Sequence, residues 1–306
     1  MKWLAGFTIL LTFLLINLGG LVHNTGSSLA CPDWPLCYGQ VMPVMEGGIL
    51  VEHSHRLLAS LVGLLTILLC AVAFKTRKNK TIKILSVFAL VFVILQGLLG
   101  GLTVIYQLPT IVSTAHLSLS LIYFLTLITL FFFLDEQKVF PQSTRASRMV
   151  LLLSLVMIYF QAILGAFMRH SGLGGACGLG FENSLLCSDM LSAQGILHFS
   201  HRLLGFFVAF IIFYASFVLY KLAQKKSALL LVTLVILQVA LGILTVGSEL
   251  GVWETTLHLG FAALLLGSTY FIFLLQSVDS KSDEMILFLK DTLSLTKPRL
   301  SSLVLF

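Results

Sequence analysis

The sequence predicts an all-α, polytopic membrane protein of eight transmembrane helices, and three observations carry that expectation. Hydrophobic residues make up 58% of the 306 and charged residues only 10%, against roughly 25% charged in an average soluble domain. The mean hydropathy is +1.02, which excludes a water-soluble globule. Apolar runs follow one another from end to end, each roughly 20 residues or longer, the length that crosses a bilayer as a helix. The runs are unbroken, without the alternation a barrel strand needs, and backbone in hydrocarbon is satisfied only within helices or closed barrels.

Taken in order, the runs lie at about 3–23, 49–74, 82–106, 110–134, 149–169, 192–220, 227–247 and 252–276. The first follows Lys2 and lacks a small-x-small cleavage site, so it is read as a retained helix and not a signal peptide. The second opens with Glu52, His53, His55 and Arg56 and ends at Lys75, Arg77, Lys78 and Lys80. The third carries Gly97, Gly100 and Gly101, read as sites of close helix contact. The fourth holds His116 and is followed by Lys138, Arg145 and Arg148. The fifth ends in Arg169 and His170, and the sixth carries His198, His201 and Arg202 before Lys221, Lys225 and Lys226. Gly242 lies in the seventh and His258 in the eighth.

The basic loops should face the cytoplasm. The alternate loops carry Asp33, Glu46 and Glu52, or Glu182 and Asp189, with hardly any Lys or Arg. They should face outward, which leaves both termini cytoplasmic in the cell membrane. The net charge of +6 sits in short inter-helix loops, where it orients the chain against membrane lipid. Nucleic acid is therefore not expected as a partner.

Compared with itself, the chain shows a repeat at an offset near 146 residues, falling to 142 further along. Gly19 to Gly26, leading to Cys31, matches Gly165 to Gly172, leading to Cys177. His55-Arg56-Leu57-Leu58 matches His201-Arg202-Leu203-Leu204, and Leu95-Gln96 through Gly100 and His116 matches Leu237-Gln238 through Gly242 and His258. Two tandem four-helix bundles are expected, one over 1–140 and one over 141–276. With four helices per half, both halves point the same way across the membrane, so equivalent sites lie at equal depth.

Four of the eight histidines, His55, His116, His201 and His258, fall inside apolar helices at these duplicated positions. Ionisable groups at membrane depth mark functional interiors. Each lies within the first two turns or so of a helix that starts on the outer side, so two imidazoles per half can approach one point: a bis-His metal site. Haem is the most economical occupant, since an apolar macrocycle fills a bundle interior between two axial imidazoles. Zinc wants three or four ligands, and each half offers two clear ones. Plain interhelical hydrogen bonding is the bland reading. Arg56 and Arg202 are placed to meet haem propionates, with snorkelling to the lipid interface as the alternative.

The halves differ at one position of consequence. Glu52 stands one turn before His55, and at the 146-residue offset it becomes His198. A carboxylate there accepts a proton or stabilises a developing cation, which makes the first half the expected reaction chamber; a helix N-terminal acid is the structural alternative. His53 and His198 read as polar interface residues, and His23 and His170 receive no role. Cys31 and Cys37 lie in the first outward loop and Cys177 and Cys187 in its repeat. Two loop disulfides are the plain expectation; a redox-active pair, a reactive thiol and metal binding are the other readings the spacing leaves open. Cys70 reads as a packing residue.

The segment Thr25 to Cys37, with Cys31-Pro32-Asp33-Trp34-Pro35-Leu36-Cys37, followed by Glu52-His53-Ser54-His55-Arg56 and the duplicated His-Arg, resembles the haem A synthase family of the bacterial type with paired loop cysteines. The resemblance covers residues 1 to about 276. It implies oxidation of the C8 methyl group of haem O to a formyl group, with His55 and His116 holding the substrate haem. It implies further that His201 and His258 ligate a cofactor haem b and that Glu52 is the catalytic carboxylate. The electron acceptor is left unnamed by it. The family often has Arg where this chain has His23, while Arg169 keeps it in the second half as a propionate contact. The second cysteine pair is spaced four residues wider than the first.

After the last run, the tail over 277–306 opens with a polar stretch, Ser277 to Asp283, and then contains Leu295-Thr296-Lys297-Pro298-Arg299-Leu300, which resembles the start of protohaem farnesyltransferase, or haem O synthase. That resemblance implies a partner that makes this chain's substrate, fused to it in a longer polypeptide, against the alternative of an ordinary cytoplasmic tail. The rivals from other classes are a di-haem b-type electron carrier and a transporter with histidine proton relays.

Overall fold

The computed structural model describes residues 1–77, 79–136, 141–183, 187, 189 and 191–277. Lys78, Lys138 and the tail segment Leu295 to Leu300 lie outside the described residues.

Among these residues the protein is all-helical, with α1 Lys2–Asn24, α2 Gly47–Thr76, α3 Lys80–Ile105, α4 Thr110–Leu134, α5 Arg145–His170, α6 Ala193–Lys221, α7 Lys225–Gly247 and α8 Val252–Ser277. All eight are long and apolar enough to cross a membrane. Several helices begin before the apolar run does, because polar caps satisfy their first amide groups. Asn79 accepts from the Thr81 amide at 2.8 Å. Thr144 and Ser147 form a reciprocal capping box that starts α5 four residues ahead of the run at 149. At α6 the cap sits where the run begins: Ser192 accepts from the Gly195 amide at 3.0 Å, and the helix opens at Ala193.

Helices α1 to α4 pack in a closed ring, each against its chain neighbour and α1 against α4. Helices α5 to α8 close a ring in the same way, and α1, α4, α5 and α8 meet between the two rings. The most enclosed spans are therefore α4 and α8, with 61% and 50% of their most apolar windows buried against 22–33% elsewhere. Polar pairs lock this central seam, among them Thr129 with Tyr270 at 2.8 Å, Ser147 with Gln276 at 2.8 Å and Ser118 with Tyr159 at 2.6 Å. Away from the seam the surface is apolar: Phe206, Phe210, Phe213 and Phe217 recur at helical spacing along α6 and are all exposed, a stripe that lipid, not water, solvates.

The long connections α1–α2 and α5–α6, residues 25–46 and 171–192, carry the cysteines and lie at one end of the molecule, where α2, α4, α6 and α8 begin. His55 and His201 are the ninth residues of α2 and α6, and His116 and His258 the seventh of α4 and α8. At 1.5 Å rise per residue all four stand about 9–12 Å in from the cysteine-loop end.

Candidate functional site

The two cysteine loops are closed by disulfides, Cys31–Cys37 and Cys177–Cys187. Each loop is then tied to the helix that follows it by a side-chain clasp. In the first, the Cys31 amide donates to Glu52 Oε2 at 2.7 Å, and Arg56 Nη2 donates to Glu52 Oε1 at 2.5 Å. Arg56 Nη1 reaches the carbonyl oxygens of Asp33 and Leu36, and Nη2 also reaches that of Cys31. Glu52 is 3% exposed. In the second loop His198 takes the place of the carboxylate: the Cys177 amide lies 3.2 Å from His198 Nδ1 and Arg202 Nε 3.2 Å from His198 Nε2. Arg202 Nη1 donates to the Asn183 carbonyl. Both arginines therefore point their donors at loop backbone. Arg169 Nε and Nη2 donate to Asn24 Oδ1 at 3.2 and 3.1 Å, and Asn24 Nδ2 donates to Thr256 at 2.9 Å, which joins α1, α5 and α8.

Below the loops, each of the four duplicated histidines lies against a glycine of a neighbouring helix. A Cβ at Gly19 on α1 would stand 3.1 Å from His55 Nε2, and one at Gly100 on α3 would stand 3.2 Å from His116 Cε1. At Gly165 on α5 it would stand 2.8 Å from His201 Cε1, and at Gly242 on α7 it would stand 3.1 Å from His258 Cε1. Small residues at helix contacts let a neighbour approach closely; here the neighbour is an imidazole. Of the glycines read as helix contacts, Gly101 instead admits the Trp34 indole of the first loop, and Gly97 faces open space. At Gly100, Gly101 and Gly242 it is a side chain, not a neighbouring backbone, that takes up the space the missing Cβ leaves.

Glutamines fix the histidine turns. Gln96 Nε2 donates to the His116 carbonyl at 2.8 Å and Gln161 Nε2 to the His201 carbonyl at 2.8 Å. At the rings themselves the protein offers little. Nδ1 of His116, His201 and His258 is buried without a hydrogen-bond partner, and the Gln161 and Gln238 amides stand 3.4 Å from Nε2 of His201 and His258, long for a hydrogen bond. A neutral imidazole has one donor and one lone pair; at His201 and His258 the glutamine amide makes only a long contact with that lone pair, and His116 Nδ1 has no partner. His55 and His116 lie within electrostatic reach of each other, as do His201 and His258. Neutral imidazoles in pairs, each braced on glycine, are a donor set that fits an iron porphyrin.

Two histidines given no role from the sequence meet where the rings of helices join: His23 and His170 stack edge-to-face with centroids 4.6 Å apart. Cys70 is the free cysteine among the described residues and lies 3.8 Å from Ser86 Oγ, a packing contact between α2 and α3. The sequence marks Gly100 and Gly242 as helix contacts but shows neither the histidines they meet nor the loop clasps. Gly19 and Gly165 did align in the repeat, which is the signal that could have found the braces.

A family model described as cytochrome oxidase assembly protein matches residues 2–270. The chain is similar to the heme A synthase of Exiguobacterium sibiricum, at 34% identity over 72% of this chain and 73% of that protein. It is similar to the heme A synthase of Staphylococcus aureus (strain MSSA476), at 32% over 92% and 97%. The heme A synthase of Geobacillus thermodenitrificans is 28% identical over 90% and 91%.

Proposed function

The chain belongs to the cytochrome oxidase assembly protein family, and from that membership we propose that it makes haem A by oxidising the C8 methyl group of haem O to a formyl group. The observation that carries the reading is the quartet of glycine-braced imidazoles, two to each ring of helices, with a carboxylate beside only one pair. In this reading the halves 1–140 and 141–276 are two tandem bundles descended from one duplicated unit.

His55 and His116 hold the substrate, haem O, in the first bundle. His201 and His258 hold haem b in the second, where the group supplies one-electron transfer when bound. Gly165 and Gly242 lie against the rings of His201 and His258, and these two imidazoles would ligate the haem b iron. Glu52 lies one helical turn before His55, so both side chains share a face of α2. The Cys31 amide and Arg56 hold its two oxygens, which positions the carboxylate without mobile side-chain freedom. There it accepts a proton leaving the methyl carbon or stabilises positive charge developing on it. The guanidinium groups of Arg56 and Arg202, each adjacent in sequence to a ligating histidine, and that of Arg169 add the positive charge that propionates seek at this end. The cysteine-loop end faces outward, where disulfides persist, and the cationic end with Lys75, Arg77, Lys221, Lys225 and Lys226 faces the cytoplasm of a cell membrane.

Extraction of pigment from the purified protein tests the reading. Haem A or its alcohol precursor together with haem b is the expected result. Haem b alone at two equivalents would make the chain an electron carrier, and no haem at all would leave the transporter.

A further inference from the structure

The first cysteine loop holds one group that neither the clasp nor the histidine quartet uses. His53 follows Glu52 on α2 and is 3% exposed. Its Nε2 lies 2.8 Å from the Val41 carbonyl oxygen. A carbonyl only accepts, so Nε2 carries the proton and Nδ1 carries the lone pair. Nδ1 is buried without a hydrogen-bond partner; were it protonated, it would be a buried donor with no acceptor. A ring nitrogen of His53 and the sulfurs of Cys31 and Cys37 lie within 4.8 Å of one another, and both cysteines are fully enclosed. Among the described residues this is the one such cluster. A disulfide that only staples a loop has no use for a buried base beside it. The second loop has no such unengaged nitrogen: the residue 146 positions after His53 is Phe199, and Nδ1 of its buried His198 is taken by the Cys177 amide.

We propose that Cys31, Cys37 and His53 form a redox-gated site for a thiophilic d10 cation, Zn(II) or Cu(I). The gate is the Cys31–Cys37 bond. A dithiol donor attacks it through a mixed disulfide; two electrons and two protons pass to the cysteine sulfurs, and the donor leaves as its own disulfide. The cation then displaces the two thiol protons and takes two thiolates and one imidazole, a soft set suited to either ion, with water completing a zinc tetrahedron. Two thiolates neutralise Zn(II), so the site is enclosed without net charge. Val41 supplies the outer contact that metal-bound histidines usually have, a carbonyl on the ring nitrogen away from the metal. The cation would sit one residue from Glu52 and on the cysteine whose amide Glu52 binds, so its presence would report the redox state of the outer compartment to the carboxylate. The site itself does not depend on the haem reading.

The test uses the full-length protein in detergent, reduced with excess phosphine, freed of reductant under nitrogen, and titrated with Zn(II) or Cu(I) against a chromophoric chelator. The reduced protein should bind one equivalent and the oxidised protein none. His53→Phe, the residue of the second half, should weaken binding by about tenfold or more, as loss of even an outer contact does. The Cys177→Ser/Cys187→Ser variant should keep it, with helicity followed by circular dichroism. Stoichiometric binding that survives Cys31→Ser/Cys37→Ser, or is indifferent to His53→Phe, would overturn the site. So would failure of both ions to bind the reduced chain, and a thiol count showing that the bridge stays closed in excess phosphine would overturn the gate.

Discussion

The two loop clasps perform the same task with different chemistry. In the first half a carboxylate offers two oxygens, and the Cys31 amide and Arg56 each take one, at 2.7 and 2.5 Å. In the second half a neutral imidazole has a single acceptor nitrogen, so the Cys177 amide and Arg202 Nε, both 3.2 Å away, compete for it. A loop can evidently be closed without the carboxylate, and less tightly. The negative charge of Glu52 is thus more than the fold requires, and it stands beside only one of the two histidine pairs. That difference is the physical ground for placing the reaction in the first half and a permanent cofactor in the second.

The sharpest way to break the comparison is to remove one ligand from each half. His201→Ala or His258→Ala should abolish haem b in the purified protein, while His55→Ala and His116→Ala should keep it and lose the substrate-derived pigment. Absorption spectra and pigment extraction read both outcomes, and the reverse pattern would exchange the roles of the halves.

Next in size is the carboxylate. Glu52→Gln retains an acceptor for the Cys31 amide but cannot take a proton, so formyl production should fall at least about 100-fold, the scale of general base catalysis, with bound haem unchanged. His198→Gln should leave turnover within a few-fold. Wild-type turnover in the Glu52 variant would remove the distinction drawn between the halves.

How far this asymmetry could be read in advance depended on the range of the forces involved. The spans were legible because hydrocarbon imposes one length and one secondary structure on each segment. Boundaries drifted where a cap such as Thr144 with Ser147 continues the helix beyond the apolar run. The histidine quartet and the Glu52/His198 exchange stood out through their fixed offset. What Glu52 touches did not, because Cys31 is 21 residues away and its amide is invisible to any side-chain pattern. The glycine braces were hidden for the same reason: Gly100 and His116 are partners only once α3 and α4 pack.

Stability should separate the clasps by a few kcal/mol. Arg56→Ala leaves a buried carboxylate without its counter-ion, which costs about 3–5 kcal/mol. Arg202→Ala removes donors from the Asn183 carbonyl and from a neutral imidazole that still has the Cys177 amide, a loss of about 1–2 kcal/mol. His198→Glu should go the other way and stabilise the second loop by about 1–2 kcal/mol, because both donors then find a charged acceptor. Thermal unfolding in detergent measures all three. Equal losses in the two arginine variants would show that the clasps are equivalent after all.

The smallest effect expected is a pH step confined to the first loop. Asp33 accepts from the Tyr38 and Gly39 amides at 2.6 and 2.8 Å; the Gly39 bond is the main reason its carboxyl lies below the ordinary value of 3.8, with Tyr38 and Arg56 adding to it. A carboxyl whose pKa is depressed by folding contributes stability that is present above its unfolded value and lost as pH falls through the folded one. The second loop has Leu179 at the matching position and lacks that term. Hydrogen exchange across residues 31–40, corrected for its intrinsic pH dependence, should therefore quicken below about pH 4, while residues 173–183 show no such step. Asp33→Asn should flatten the difference. The same step in both loops would assign it to something they share, such as the disulfides' surroundings, and not to this carboxylate.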